Sequence, residues 1–290
     1  MKTKAESASD WTAPFLAAAL WIPVMIAASY EWSHGKYYDY GWFVPPAAVW
    51  FLIRRWNTLG EPASLPWRKI VLAAVALLPW LLVLRVLGHA DPSWCLPMGL
   101  LAVTAALTSH GLIALAHNWR TSAAFLWITL LALSAVPWPS IVEQQIVMNL
   151  TDGMIHTVSE WFQISGRPVE VEGARMRLHD ITVEVTDGCS GVRSFQSFVM
   201  ATWFFAELQQ MRWARTIILL ASTCVAAFVM NSIRIWALAK IRFDAGVEAF
   251  DSAHGWIGVI AFLASATFFY FFSGWLSERK PRRLKRKTAN

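Results

Sequence analysis

The 290-residue sequence predicts a mainly α-helical, polytopic membrane protein, and three observations carry that prediction. Hydrophobic residues make up 56% of the chain and charged residues only 15%, where an ordinary globular domain carries roughly 25% charge. The mean hydropathy is +0.42. There are 18 Trp, a residue that collects at membrane–water interfaces. This balance excludes soluble cytosolic enzymes, disordered chains and disulfide-rich secreted modules. A net charge of +6 and a pI near 9.4 would suit a nucleic-acid binder. The basic residues, however, sit in short loops and a terminal tail, as cytoplasmic charge does in membrane proteins. Cys95, Cys189 and Cys224 are too few and too scattered for a disulfide framework or a metal cluster, so no metal or other cofactor is expected.

A bilayer core takes about 20 apolar residues per helix. About eight segments approach that length: 12–30, 41–53, 70–87, 96–116, 122–138, 191–208, 214–235 and 254–275. The second is short, and Pro45-Pro46 is expected to kink it. No small-residue cleavage site follows the first, so it reads as a span and not as a signal peptide. The expected organisation is a five-helix membrane region over 1–138, an extracytoplasmic insertion over 139–190, a three-helix membrane region over 191–276 and a basic tail over 277–290.

Charge orients the spans. Arg54, Arg55, Arg68, Lys69, Arg120, Arg212, Arg215 and the tail ERKPRRLKRK all fall on one face if the N-terminus is inside. Lys and Arg in short loops mark the cytoplasmic side, so both termini are expected there. The long polar insertion then faces outside. Its first half, IVEQQIVMNLTDGMIHTVSEWFQI, has apolar residues at helical spacing and reads as an amphipathic helix on the outer surface. Val169 to Val171, Met176 to Leu178 and Ile181 to Val185 alternate with period two between turn residues, the signature of a small β-meander. The meander delivers the chain to Asp187-Gly188-Cys189. The basic tail suits an anionic lipid surface.

Ionisable groups deep in a span would point to a transport pathway. His110, Arg85 and Glu207 lie towards span ends, which argues against a secondary transporter. The polar residues of interest fall instead at the outer ends of the last three spans. Cys189 precedes a run of helix formers, and a helix N-terminus favours the thiolate. Its alternatives are a small buried hydrophobe, as assumed for Cys224, or a disulfide with Cys95. Arg234 ends the seventh span, where an arginine often just snorkels to the interface. His254 opens the eighth, with Asp251-Ser252 as its expected N-cap. Together they bring a nucleophile, a proton shuttle and a cation for an oxyanion to one membrane level, a set suited to acyl transfer.

The segments DGCSGVRSFQSF, NSIR and HGWIG give Cys189-Ser190-Gly191, Asn231-x-x-Arg234 and His254-x-x-x-Gly258 in order. This pattern resembles the exosortase/archaeosortase family of membrane cysteine transpeptidases. GRPVEVEGARMRLHDITVEV also resembles the family's strand segment before its cysteine. The resemblance implies catalysis by Cys189, Arg234 and His254, with Asn231, Ser190 and Gly191 in support. Arg193, one helical turn beyond Cys189, either pairs with a glutamate of the substrate or has a structural role in the helix interior. It implies substrates that are secreted proteins ending in a sorting signal: a Pro-Glu-Pro-like motif, one transmembrane helix and a basic tail. An amine, a hydroxyl or water would accept the product. The expected location is the cytoplasmic (inner) membrane, with the site extracytoplasmic. One departure stands out. Where the family has Ser-His-Gly-x-Leu-Val-Pro, this chain has Asp39-Tyr40-Gly41-Trp42-Phe43-Val44-Pro45, with Ser33-His34-Gly35 displaced upstream. A non-enzymatic assembly or transport factor for exported polymers would keep the spans without needing a thiol, and a membrane acyltransferase is the nearest enzymatic alternative.

Overall fold

The computed structural model describes residues 11–35, 37–91, 94–185 and 191–277. The architecture is helical, with one three-stranded sheet. Two compact units divide at Val147/Met148.

The first unit holds α1 (Thr12–Ala19), α2 (Ile22–His34), a 3₁₀ turn (Asp39–Phe43), α3 (Val44–Trp56), α4 (Trp67–Ala90), α5 (Cys95–Ala116), α6 (Trp119–Ala123) and α7 (Leu126–Ser134). The core joins Trp21 and Val24 to Ala102, Ala105, Ala106, Ala132 and Val136. Small residues at these positions let helix backbones approach closely, which is how helices associate where lipid is as apolar as leucine. The prolines of α3 occupy its first turn. There the missing N–H is an orphan in any case, so they start the helix and do not kink it. The region expected to span at 122–138 is instead two short pieces, α6 and α7.

The 3₁₀ turn is locked to the α7–α8 junction from three sides. The Trp32 indole donates to the Ala135 carbonyl at 2.7 Å, Tyr40 donates to the Ser134 carbonyl at 2.7 Å, and Tyr38 donates to Glu143 at 2.7 Å. A Cβ on Gly41 would lie 2.3 Å from the Trp32 ring, so only glycine fits there. Burial raises the Tyr38 phenol well above its ordinary pKa and keeps it a donor.

A long helix, α8 (Ser140–Ile164), crosses from the first unit to the second. In the second unit it meets the antiparallel meander of β1 (Glu170–Glu172), β2 (Arg175–Leu178) and β3 (Ile181–Glu184), then α9 (Val192–Leu208) and α10 (Trp213–Ser277). The amphipathic stretch is helical as its spacing predicts. Its second half packs against protein: Met154, Ile155, Val158 and Phe162 join Met176, Val183, Val185, Ile235 and Ala239 in one core. A fully buried side chain such as Phe162 contributes roughly 1.5–3 kcal/mol relative to its exposed state. The opposite sheet face is charged, with Arg177 paired to Glu170 and Arg175 to Glu184 across the strands.

α10 is two helices joined at Gly246, whose φ of 83° and ψ of −167° belong to glycine alone. The first arm, 213–245, runs well past Arg234. The second arm, 247–277, begins before Asp251. Arg234 is therefore not at a helix end, and Asp251-Ser252 is no N-cap: both lie inside the second arm, where Ser252 donates to the Ala249 carbonyl. The expected spans stop at 235 and resume at 254, yet the segment between them is helical on both sides of Gly246. It is helical because Phe243 packs edge-on against Phe162 and Asp244 pairs with Arg167.

Among the described residues, four helices are long and apolar enough to cross a membrane: Thr12–His34, Trp67–Ala90, Cys95–Ala116 and Trp213–Ser277. The last contains both arms of α10.

Candidate active site

The site builds from the two arms of α10. Arg234 lies on the first arm and His254 on the second, twenty residues later, and the turn at Gly246 brings Arg234 Nη2 to 3.4 Å from His254 Nε2. A guanidinium has only donors, so the facing imidazole nitrogen accepts and the ring proton of the neutral form sits on Nδ1. That Nδ1 is buried and has no hydrogen-bond partner among the described residues. Phe250, one turn before His254, packs its ring 5.5 Å from the imidazole and limits where the ring can turn.

One turn after His254, Gly258 lies under the Arg234 side chain. A Cβ there would be 3.5 Å from Nε and 3.6 Å from Cζ and Nη2. The glycine makes a flat shelf on which the guanidinium rests. This gives the His-x-x-x-Gly spacing a physical reason: histidine and shelf share a face because i and i+4 do.

Asn231, one turn before Arg234, is buried and donates to the Met154 sulfur at 3.1 Å. Gly191 caps the N-terminus of α9 with φ +69°, and a Cβ on it would lie 3.0 Å from Asn231 Cγ and Nδ2. Gly191 is thus required twice over, by its left-handed backbone and by the side chain against it. The Asn-x-x-Arg spacing therefore does two things: it seats the start of α9 and sets Arg234 towards His254.

Cys189 and Ser190 lie outside the described residues. Their chain neighbours are anchored on one core. Val185 is buried beside Met154, and Gly191 presses on Asn231, which bonds Met154. Arg193 is in the first turn of α9 and exposed, so it is a surface cation and not a residue of the helix interior.

Of the expected residues, the structure brings together Arg234 and His254, and separately Gly191 and Asn231. Sequence reasoning missed Met154, the sulfur acceptor beneath Asn231, which carried no signal beyond its place on an amphipathic helix. The displaced His34 is exposed, stacks on Tyr30 and contacts the Tyr30 carbonyl at 3.2 Å, a contact within its own helix. No group of His, Cys, Asp and Glu among the described residues is arranged to hold a metal.

Fold and site together define a helical membrane protein in which an Arg–His pair joins two helix arms that meet at Gly246. The family model of the transmembrane exosortases matches residues 32–271, most of the chain, and the protein belongs to that family. Neither a curated protein nor a solved structure matches it.

Proposed function

We propose that this exosortase is a cysteine endopeptidase and transpeptidase that cleaves the C-terminal sorting signal of exported proteins. The reading takes eight crossings, matching the segments expected from the sequence. Those are Thr12–His34, α3, α4, α5, the α6–α7 pair, α9 and the two arms of α10, with both termini cytoplasmic and the site on the outer face of the inner membrane. The substrate's transmembrane helix lies beside the last three crossings and presents a Pro-Glu-Pro-like motif above the outer leaflet.

In this reading Arg234 turns from His254 to the developing oxyanion, the Cys189 thiol gives its proton to the freed Nε2 of His254, and the sulfur attacks the peptide carbonyl. Arg234 stabilises the oxyanion, with backbone N–H groups at the start of α9 beside it. His254 returns the proton to the departing amine, leaving a thioester. An amine, a hydroxyl or water then releases the product. Asn231 orients Arg234, Ser190 and Gly191 shape the approach to the sulfur, and Arg193 pairs with the glutamate of the signal.

The observation that carries this is the Arg234–His254 pair beside an unpartnered, buried Nδ1, one helical turn from the Asn231–Gly191 contact. An arginine that only snorkels is replaceable by lysine. One that presents a planar fork is not. At expression levels matched by blot, Arg234→Lys is expected to process a tagged sorting-signal substrate at least about a hundredfold more slowly, the usual cost of an oxyanion donor. Processing by Arg234→Lys at the wild-type rate would return Arg234 to an anchoring role.

A further inference from the structure

We propose that the open edge of β3 binds the extended part of the substrate, which adds to the meander as a fourth strand. This deepens the peptidase reading and rests on it.

The register supplies the first argument. The Val185 N–H donates to the Ala174 carbonyl at 2.8 Å, and Met176 pairs with Val183 and Leu178 with Ile181. Hydrogen-bonded and non-bonded pairs alternate along an antiparallel ladder. Residues 181, 183 and 185 therefore turn their backbone groups towards β2, and Thr182 and Glu184 turn theirs away from the sheet. β3 is last in the strand order, so no strand among the described residues takes those groups. Among the described residues, no loop, turn or cap backbone bond involves either one. Both residues are exposed. Such an edge is a template for an added chain.

The second argument is rigidity. Met176, Val183 and Val185 are buried against α8 and the first arm of α10, so the edge is held on the core of the unit. An edge fixed in this way has no ordering left to lose when it binds a peptide.

Chain direction selects the occupant. In sequence, Cys189 follows Glu184 by five residues. A fully extended chain of that length reaches at most about 18 Å. A peptide on this edge has its own backbone groups satisfied along one side, on the strand that immediately precedes the cysteine in the sequence. The far edge, at β1, turns out only Val171 and is two strands removed from β3. A strand paired on one side accepts proline wherever its N–H faces outward, at every second residue. A Pro-Glu-Pro-like motif meets that condition with its glutamate residue turned to β3 and both prolines turned away.

The test uses the full-length protein in detergent and a synthetic peptide of Pro-Glu-Pro, apolar helix and basic tail. Glu184→Pro deletes an outward N–H and leaves the β2 ladder whole. It is expected to raise KM about tenfold, as loss of a backbone hydrogen bond does, with kcat little changed. Val171→Pro, the same deletion on the far edge, is expected to leave KM unchanged. If Glu184→Pro fails to accumulate, N-methylation scanned along the peptide with wild-type protein decides. Losses at alternate positions are expected, and uniform losses or none overturn the proposal. An unchanged KM in well-expressed Glu184→Pro also overturns it. If Cys189→Ala is inactive in that case, the peptidase reading stands and only the edge falls. Processing by Cys189→Ala would remove the reading itself.

Discussion

Two histidines, one in each unit, show the difference between a ring that holds a fold and a ring available for chemistry. His110 on α5 has both nitrogens engaged by hydroxyls, Nδ1 with Ser122 at 2.8 Å and Nε2 with Thr129 at 2.9 Å. Ser122 in turn donates to the His110 carbonyl, closing a polar knot among apolar helices. His254 has a long contact with a cation on one nitrogen and no hydrogen-bond partner for the other among the described residues. Polar groups removed from water are normally satisfied, because an unmade hydrogen bond there costs about 1–3 kcal/mol. His110 obeys that rule. His117, also in the first unit, does not, since its Nε2 is buried with no hydrogen-bond partner among the described residues. What sets His254 apart is the Arg234 guanidinium 3.4 Å from its other nitrogen.

The comparison can be broken by exchanging consequences between the two rings. The largest effect is expected at His254→Ala: processing per folded molecule should fall by about 10²–10⁴, the usual contribution of a positioned acid–base group. Next is the shelf under the arginine. Gly258→Leu should displace the guanidinium and cost about 10² in turnover, since a shift of an ångström at a catalytic group has that effect. Gly258→Ala places its Cβ at ordinary contact distance and should process near the wild-type rate. A smaller effect, about tenfold, is expected for Gly191→Ala, from left-handed strain of roughly 1–2 kcal/mol and contact with Asn231. Assays of tagged substrate at matched expression read all four variants. The smallest effect on turnover belongs to His110→Ala. It should lower thermal stability, through loss of its hydroxyl contacts, while leaving processing per folded molecule unchanged. Loss of processing at matched folded protein in His110→Ala, or none in His254→Ala, would erase the distinction.

Much of this was legible because it is periodic or composition-bound. The membrane class followed from the apolar content. The meander followed from period-two alternation in VEVEGARMRLHDITVEV, where one face is buried and the other bears the Glu–Arg pairs. The pairing of Arg234 with His254 was implied by motif order and span topology. The rest depended on tertiary support that no local pattern announces. The stretch KIRFDAGVEAF falls between the expected spans, yet it stays helical on both sides of Gly246, with Phe243 on Phe162 and Asp244 paired with Arg167. That misreading made Asp251 and Ser252 look like a cap when the helix begins a turn earlier. Pro45-Pro46 was taken for a kink because a proline pair looks the same at a helix start as in its middle. The segment that departs from the family's histidine motif proved structural. Its Tyr40 and Gly41 fasten the 3₁₀ turn to Ser134 and Trp32.

The central claim of the proposed function is that acyl transfer passes through the sulfur of Cys189. The direct measurement is mass spectrometry of protein quenched in acid during turnover of a sorting-signal peptide. The account predicts a hydroxylamine-labile adduct of the substrate's N-terminal fragment on the peptide containing Cys189, absent from Cys189→Ala. An adduct on Cys95 or Cys224 in its place, or undiminished processing by Cys189→Ala, would contradict it.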